Sequence, residues 1–339
     1  EEIVVADVGS TGGLDFRWRE LLGKLVVYSF DPDERAVLLK NQSEVVFKTG
    51  LWSKKAEMPL YLTKFPPASS VYKPNSEILE GFLNADCHEI VGEDKIVLDD
   101  MKTVLAHHRA PDFIKVDAEG ADLHILKGAE QFLLETTFGV QVEVQFVERN
   151  VGSPMFSDID AYMRRHGYFL MDLSRESWIR VSNLWGLQAS PQVIWADAVY
   201  LLSESELVKR SADLHEKEAK IFLMKIISIG LIYGFYDYAV AVVEKFMVNG
   251  RISKGDAMEL KTLIAKSIQP ASKVLLVKFL FILIAVMAVL VTFPSPRYRK
   301  SAKSFLKIAM AGFFKAMHRV FSRGGPSDVA VSDLHPHGW

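Results

Sequence analysis

The 339-residue chain contains a single cysteine, Cys87. One thiol excludes an intramolecular disulfide and a thiolate-bound zinc cluster, and it points to a reducing compartment. The chain has no excess of positive charge either: 40 Lys and Arg against 42 Asp and Glu leave a formal net charge of −2. A dedicated nucleic-acid binder needs a basic excess to meet phosphates, so nucleic acid is not an expected partner. The opening lacks both a Met and the basic segment of a secretory signal, because Glu1 and Glu2 run directly into apolar residues. Residues preceding Glu1 are therefore expected.

What is present divides into two unlike regions, as expected of a chain longer than the roughly 250 residues at which single cores usually divide. From Ile3 to about Leu202, short Val-, Ile- and Phe-rich runs alternate with helix-length amphipathic stretches, the pattern of βαβ units around a parallel sheet. Strands are expected near Ile3–Val8, Leu25–Phe30, Val45–Thr49, Phe113–Val116, Val140–Phe146, Phe169–Leu173 and Val193–Leu201. Trp178 to Ser190 is too irregular for a crossover helix, so the last two strands are expected to pair antiparallel at the sheet edge. The fold class is α/β, a Rossmann-like sheet with helices on both faces, over residues 1–203.

Beyond Ser203 the pattern becomes helical. A helical appendage is expected over 204–270, with one long helix from about Asp213 to Val248, a stop at Gly250 and a second helix from Ser253 to Ile268. Gly230 and Gly234 sit within an apolar stretch, but Asp237, Glu244 and Glu259 favour a hairpin in water over membrane helices. Val274–Phe293 is then apolar for about twenty residues, long enough to cross a hydrocarbon core, and a membrane helix is expected within 271–296. Lys278 lies near one end, and Pro294 and Pro296 close the run. Residues 297–323 hold Arg297, Arg299, Lys300, Lys303, Lys307, Lys315, Arg319 and Arg323 without one acid, while Leu306, Met310, Phe313, Met317 and Val320 share a helical face. This is a basic amphipathic helix suited to an anionic membrane surface. A disordered tail is expected over 324–339.

Three segments carry candidate chemistry. Val4 to Gly13 is a buried strand ending in Asp7 and a glycine-rich turn at Gly9, Gly12 and Gly13. Its spacing is not the dinucleotide fingerprint G-x-G-x-x-G; it suits S-adenosylmethionine (SAM), which has no pyrophosphate, although a bare tight turn would look the same. A second strand ends in Asp31, 24 positions after Asp7, where an acid in nucleotide-binding α/β units accepts the ribose hydroxyls. The alternative is that Asp31 opens the next helix with Asp33 and Glu34. The third segment, Pro111 to Asp122, packs Lys115, Asp117 and Glu119 at a strand end, where ligands of open sheets bind. Lys115 within an apolar strand needs a carboxylate partner, and Asp117 is the nearest candidate, so a structural salt bridge is the competing reading.

These segments resemble the FkbM family of SAM-dependent methyltransferases. The family motif D-x-G-A-N-x-G is matched by Asp7, Gly9 and Gly13, with Ser10 and Thr11 where Ala and Asn are usual. The signature D-F-I-K-[IV]-D-x-E-G-x-E, followed by L-K-G-A, is matched from Asp112 to Asp122 and from Leu126 to Ala129, with Asp122 replacing a Glu. Leu98-Asp99-Asp100, Ser69-Ser70, Val142-Glu143-Val144, Pro154-Met155-Phe156, His166-Gly167-Tyr168 and Trp195 to Ala198 resemble further blocks. The resemblance spans Val4 to Leu202. It implies SAM as cofactor, bound by Asp7, Gly9, Gly13 and Asp31, and methyl transfer to a hydroxyl of a saccharide, glycolipid or related natural product. The base that takes the hydroxyl proton would be Asp117 or Glu119, then Glu143, with His107 or His108 approaching from a loop. The same acids would suit a divalent cation, but no His ligand pattern supports a particular metal.

Two other functions compete. A nucleotide-dependent, sugar-modifying oxidoreductase shares the strand, glycine turn and ribose acid, but the spacing of Gly9 to Gly13 disfavours it. A membrane-tethered SAM-binding protein without turnover would fit the Ser10-Thr11 departure and the helical appendage. In either SAM-binding case the acceptor or ligand is a small molecule or glycan, residues 274–323 partner a membrane, and SAM supply places the catalytic domain in the cytoplasm.

Overall fold

The computed structural model describes residues 1–11, 13–33, 44–182 and 190–268. The expected membrane helix, the basic amphipathic helix and the tail all lie outside these residues. Residues Glu1–Lys261 form one compact unit, and Thr262–Trp339 form a second, of which only the end of one helix and Ile268 are described.

A seven-stranded sheet runs through the first unit. Its strands are β1 (Ile3–Val8), β2 (Leu25–Phe30), β3 (Glu44–Phe47), β7 (Phe113–Val116), β8 (Gly139–Gln145), β9 (Tyr168–Trp178) and β10 (Gln192–Leu202), in the order β3-β2-β1-β7-β8-β10-β9. The first five are parallel, and β10 runs antiparallel to both β8 and β9. The expected edge pairing of the last two strands is therefore present. All six residues of β1 are buried and read as a nearly unbroken apolar run; all seven of β8 are buried too, although Gln141, Glu143 and Gln145 alternate with its valines.

A second sheet was not legible in the sequence: β4 (Gly50–Leu51), β5 (Ala56–Thr63) and β6 (Ile90–Asp99), in the order β4-β6-β5. Most of β6 is exposed and lacks the apolar periodicity of a half-buried strand, and in β5 Pro59 interrupts the alternation of Met58, Leu60 and Leu62. This sheet and the segments beside it wall one side of the crevice described below. The short helix α1 (Ser76–Leu79) lies between β5 and β6 and α2 (Met101–Val104) follows β6, and α3 (Asp122–Gly128), α4 (Glu130–Glu135) and α5 (Phe156–Arg165) connect the later strands.

After Ser203 come α6 (Glu204–Arg210), α7 (Glu216–Tyr233), α8 (Tyr236–Val248) and α9 (Lys254–Ser267). The single helix expected from Asp213 to Val248 is broken at Gly234, whose φ is +80°. There the Gly234 N–H donates to Leu231 and the Phe235 N–H to Gly230, at 3.1 and 2.8 Å. This left-handed cap satisfies carbonyls that continuation of the helix would otherwise have used. The hairpin is thus between α7 and α8, and a Cβ at Gly230 would stand 3.4 Å from the Cβ of Ala239. Among the described residues no helix is long and apolar enough to cross a membrane.

Read from the sequence as an appendage, α6 to α8 are bonded to the sheet within the same compact unit. The Lys225 ammonium lies 2.9 Å from Asp112, whose carboxylate also accepts the Val4 N–H at 2.9 Å. Tyr233 donates to Gln141 of β8 at 2.8 Å, and the Tyr233 ring stacks on Phe113 at 5.7 Å. Both ends of the Lys225–Asp112 pair are largely buried, with side chains 12% and 14% exposed. Asp112→Asn should therefore lower the unfolding free energy by about 3–5 kcal/mol, because it strands a buried ammonium. Urea unfolding monitored by tryptophan fluorescence measures this; a loss under about 1 kcal/mol, the worth of an exposed pair, would show that the bond is peripheral.

Candidate active site

The chain runs outward from β1 to β2 and β3, then crosses back to place β7 on the other side of β1. At such a switch point the loops after neighbouring strands diverge and leave a crevice at the carboxyl edge. Here it is spanned by close contact between two turns. Gly9, at φ +72°, passes so near β7 that a Cβ on it would lie 1.8 Å from the Asp117 carbonyl oxygen. The Gly9 N–H bonds the Phe30 carbonyl at 3.0 Å and the Asp117 N–H bonds that of Val8 at 3.0 Å. Around this contact opens a cavity of about 360 Å³.

Toward β2, the cavity is lined by Gly9, Thr11, Asp31 and the apolar side chains of Phe30, Leu51 and Leu98. One Asp31 oxygen accepts from the Thr11 hydroxyl at 2.9 Å and the other from the Asp33 N–H at 3.0 Å. Thr11, which departs from the family pattern, thus has a defined task in orienting Asp31. Burial pushes the Asp31 pKa up, opposed by the hydrogen bonds from Asp33 and Thr11. A carboxylate beside apolar walls suits a nucleoside, with the ribose at Asp31 and the base against Leu51 and Leu98.

Two of the four expected cofactor residues stand apart from the cavity. Gly13 closes the turn, its N–H bonding the Ser10 carbonyl at 2.9 Å, and does not line the cavity. Asp7 is fully buried behind the turn, where it faces Lys115 at 3.1 Å. The parallel register that sets Asp7 beside Lys115 explains this. Sequence proximity pointed to Asp117 as the partner of Lys115, but Asp117 stands farther off, at 3.8 Å. Lys115 also donates to the Gly9 carbonyl at 3.2 Å, so the pair supports the turn from beneath. Burial opposes the Lys115 charge, but Asp7 and Asp117 outweigh it and hold its pKa up.

Beyond the Gly9 contact, three expected acids meet: Asp117 after β7, Glu119 in the turn that follows, and Glu143 on β8, with carboxylate oxygens within 4.8 Å of one another. All three line the cavity. The residue that sequence reasoning missed is Arg149. Its guanidinium lies 3.2 Å from Glu119 and bonds Glu143 directly, and it sits over the rings of Trp178 and Trp195 at 6.0 and 5.8 Å. Three acids at strand ends demand a counter-ion, and an Arg six residues after Glu143 was the available signal. The cluster carries its own cation, so its donor set does not call for a metal. His108 lies elsewhere, its ring edge-on to Tyr28 and Phe47, and neither it nor His107 lines the cavity.

Asp122, which replaces the family's Glu, accepts the Ala118 and Gly120 N–H groups at 3.0 and 2.9 Å and so shapes the turn that holds Glu119. Burial raises its pKa to about 6 despite those bonds. Burial raises Glu119 to about 7, opposed by Arg149 and reinforced by Asp117 and Asp122. Glu143 is pushed well above the ordinary carboxylate range by burial, again opposed by Arg149. A carboxylate poised near neutrality over a cavity is what proton abstraction needs.

Together the switch-point crevice and the acids at the ends of β2 and β7 belong to a Rossmann-like α/β fold. Residues 8–170 match the family described as the methyltransferase FkbM domain. No curated protein matches the chain. Among solved structures, the methyltransferase FkbM from Methylobacillus flagellatus KT is similar at 16% identity and a TM-score of 0.34, over 59% of this chain and 43% of that one. This chain thus spans less than half the length of that protein. The precorrin-6y C5,15-methyltransferase from Geobacter metallireducens GS-15 is similar at 8% identity and a TM-score of 0.31, over 60% of this chain and 81% of that one.

Gly9→Ala tests the contact on which the crevice is built. The added methyl collides with backbone and the residue keeps an unfavourable φ, so a loss of about 2–5 kcal/mol in unfolding free energy is expected, together with loss of SAM binding. Urea titration and calorimetry measure the two. Wild-type values of both would show that the turn relaxes freely.

Proposed function

We propose that this methyltransferase acts on oxygen, methylating a hydroxyl of a saccharide, glycolipid or related natural product close to a membrane. The observation that carries this reading is that Asp31 and the Asp117–Glu119–Glu143 cluster open on one cavity from opposite sides of the Gly9 contact. SAM supplies an electrophilic methyl on a sulfonium. On the chain's side, Asp31 accepts the ribose hydroxyls while Thr11 keeps its carboxylate turned to the cavity. Glu119 takes the acceptor's proton as the oxygen–methyl bond forms and the carbon–sulfur bond breaks. Asp117 and Glu143 keep the surroundings negative, which favours a developing positive charge on the acceptor oxygen, and Arg149 prevents that charge excess from dispersing the cluster. Trp178 and Trp195 offer flat apolar faces for a ring-shaped acceptor.

Asp31→Ala should weaken SAM binding by about 1.5–3 kcal/mol, the value of hydrogen bonds to a charged acceptor; calorimetry with unchanged affinity would remove Asp31 from the site. Glu119→Gln should slow transfer of tritiated methyl from SAM to a saccharide or lipid extract by about 10²–10⁴-fold. Because Glu119 titrates near 7 and only its ionised form accepts a proton, wild-type turnover should fall as the pH drops through that value. The Gln variant should lack this limb. A variant with the wild-type rate and profile would move the base elsewhere.

The membrane part of the reading rests on residues 274–323. An apolar run and a basic stretch together anchor more firmly than either alone, with about 1 kcal/mol for each surface-proximal Lys or Arg. The full chain should sediment with membranes through a high-salt wash, and a chain ending at Pro270 should stay in the supernatant and still bind SAM. The catalytic domain would face the cytoplasm, where SAM is supplied. Full-length protein left in the supernatant at low salt without detergent would overturn the anchoring.

A further inference from the structure

Glu119 is the one non-glycine residue with positive φ among the described residues, at +50°. A side chain bearing a Cβ resists this conformation, and such residues persist only where their surroundings impose it. The imposing groups are identifiable. The Glu119 backbone carbonyl accepts from the Ser70 hydroxyl at 2.7 Å and from the Asn150 amide nitrogen at 3.0 Å. Both donors are buried, at 2% and 1% exposure. The amide oxygen of Asn150 has no hydrogen-bond partner, so this side chain is buried at a cost and its donation to Glu119 is what it contributes.

The two donors lie 49 residues before and 31 residues after Glu119, and their loops are tied to each other. The Asn75 N–H donates to the Arg149 carbonyl and the Val151 N–H to that of Lys73, each at 2.8 Å. Ser70 also lines the cavity. The clamp therefore links a wall of the cavity, the loop bearing Arg149 and the backbone of one acid.

We propose that Ser70 and Asn150 are positioning residues that hold Glu119 left-handed, so that its carboxylate stays over the cavity floor beside Asp117 and Arg149. The inference rests on Glu119 being the proton acceptor. Without the clamp the backbone at 119 relaxes and the carboxylate turns toward solvent, while Asp31 and Thr11, which hold the donor, are untouched.

The test compares the full chain with Ser70→Ala, Asn150→Ala and the double variant, each labelled with ¹³Cδ-glutamate and titrated by NMR, the Glu119 signal being assigned by its loss in Glu119→Gln. In the double variant the Glu119 midpoint should fall by about one pH unit or more toward the ordinary carboxylate value. The kcat for tritiated methyl transfer should fall about tenfold or more with the KM for SAM within about twofold. Single variants should move both readouts in the same direction. A Glu119 midpoint unchanged in the double variant, even with a lower thermal midpoint, would overturn the proposal and leave Ser70 and Asn150 as ordinary structural groups. If Glu119→Gln is inactive while the double variant keeps the wild-type midpoint and kcat, the clamp alone fails. If Glu119→Gln transfers at the wild-type rate, the role given to Glu119 fails and the clamp's purpose with it.

Discussion

Two turns that touch backbone to backbone govern this site. The turn after β1 can approach β7 as closely as it does only because position 9 has no side chain, and the rest of the crevice takes its shape from that approach. On one side lie the groups aligned with β2, on the other those aligned with β7 and β8. Lys115 reinforces the contact from below by bonding the Gly9 carbonyl while paired with Asp7. The ion pair is thus part of the scaffold of the turn, which explains why an acid so prominent in the sequence never reaches the cavity.

Charge is the second organising principle. Asp117, Glu119, Asp122 and Glu143 crowd one end of the crevice, and Arg149 is the cation placed between Glu119 and Glu143. A buried carboxylate without a partner would simply take up a proton; one beside a single shared guanidinium is held between the two states. The aromatic faces of Trp178 and Trp195 against Arg149 exclude water from the same region and sharpen each of these interactions.

Much of this was legible in the chain itself. Val-, Ile- and Phe-rich runs mark β1, β2, β7 and β8, and the acids on or just after them mark the crevice edge. Asp31, Asp117, Glu119 and Glu143, singled out at those ends, all line the cavity. The second sheet was hidden because β6 is largely exposed and charged, β5 carries a proline and β4 is only two residues long. The break at Gly234 was hidden by apolar residues on both sides of it, which continue a helical pattern through a left-handed cap. Partners across strands are set by register, a long-range property, and that is why Asp7 stands nearer to Lys115 than the expected Asp117 does. Arg149 follows β8 in a loop, and nothing local distinguishes a loop arginine that folds inward from one left in water.

The position of β10 has a consequence for where the chain can be cut. The family match ends at residue 170, yet β10, which begins at Gln192, is inserted between β8 and the edge strand β9. A fragment trimmed to the matched span would leave the β10-facing edge of β8 bare along Gly139–Gln145, a strand that is buried throughout in the whole chain. Such an edge recruits other chains. The matched segment therefore stops inside the sheet, and a cut that spares the strand pairing has to fall after Leu202.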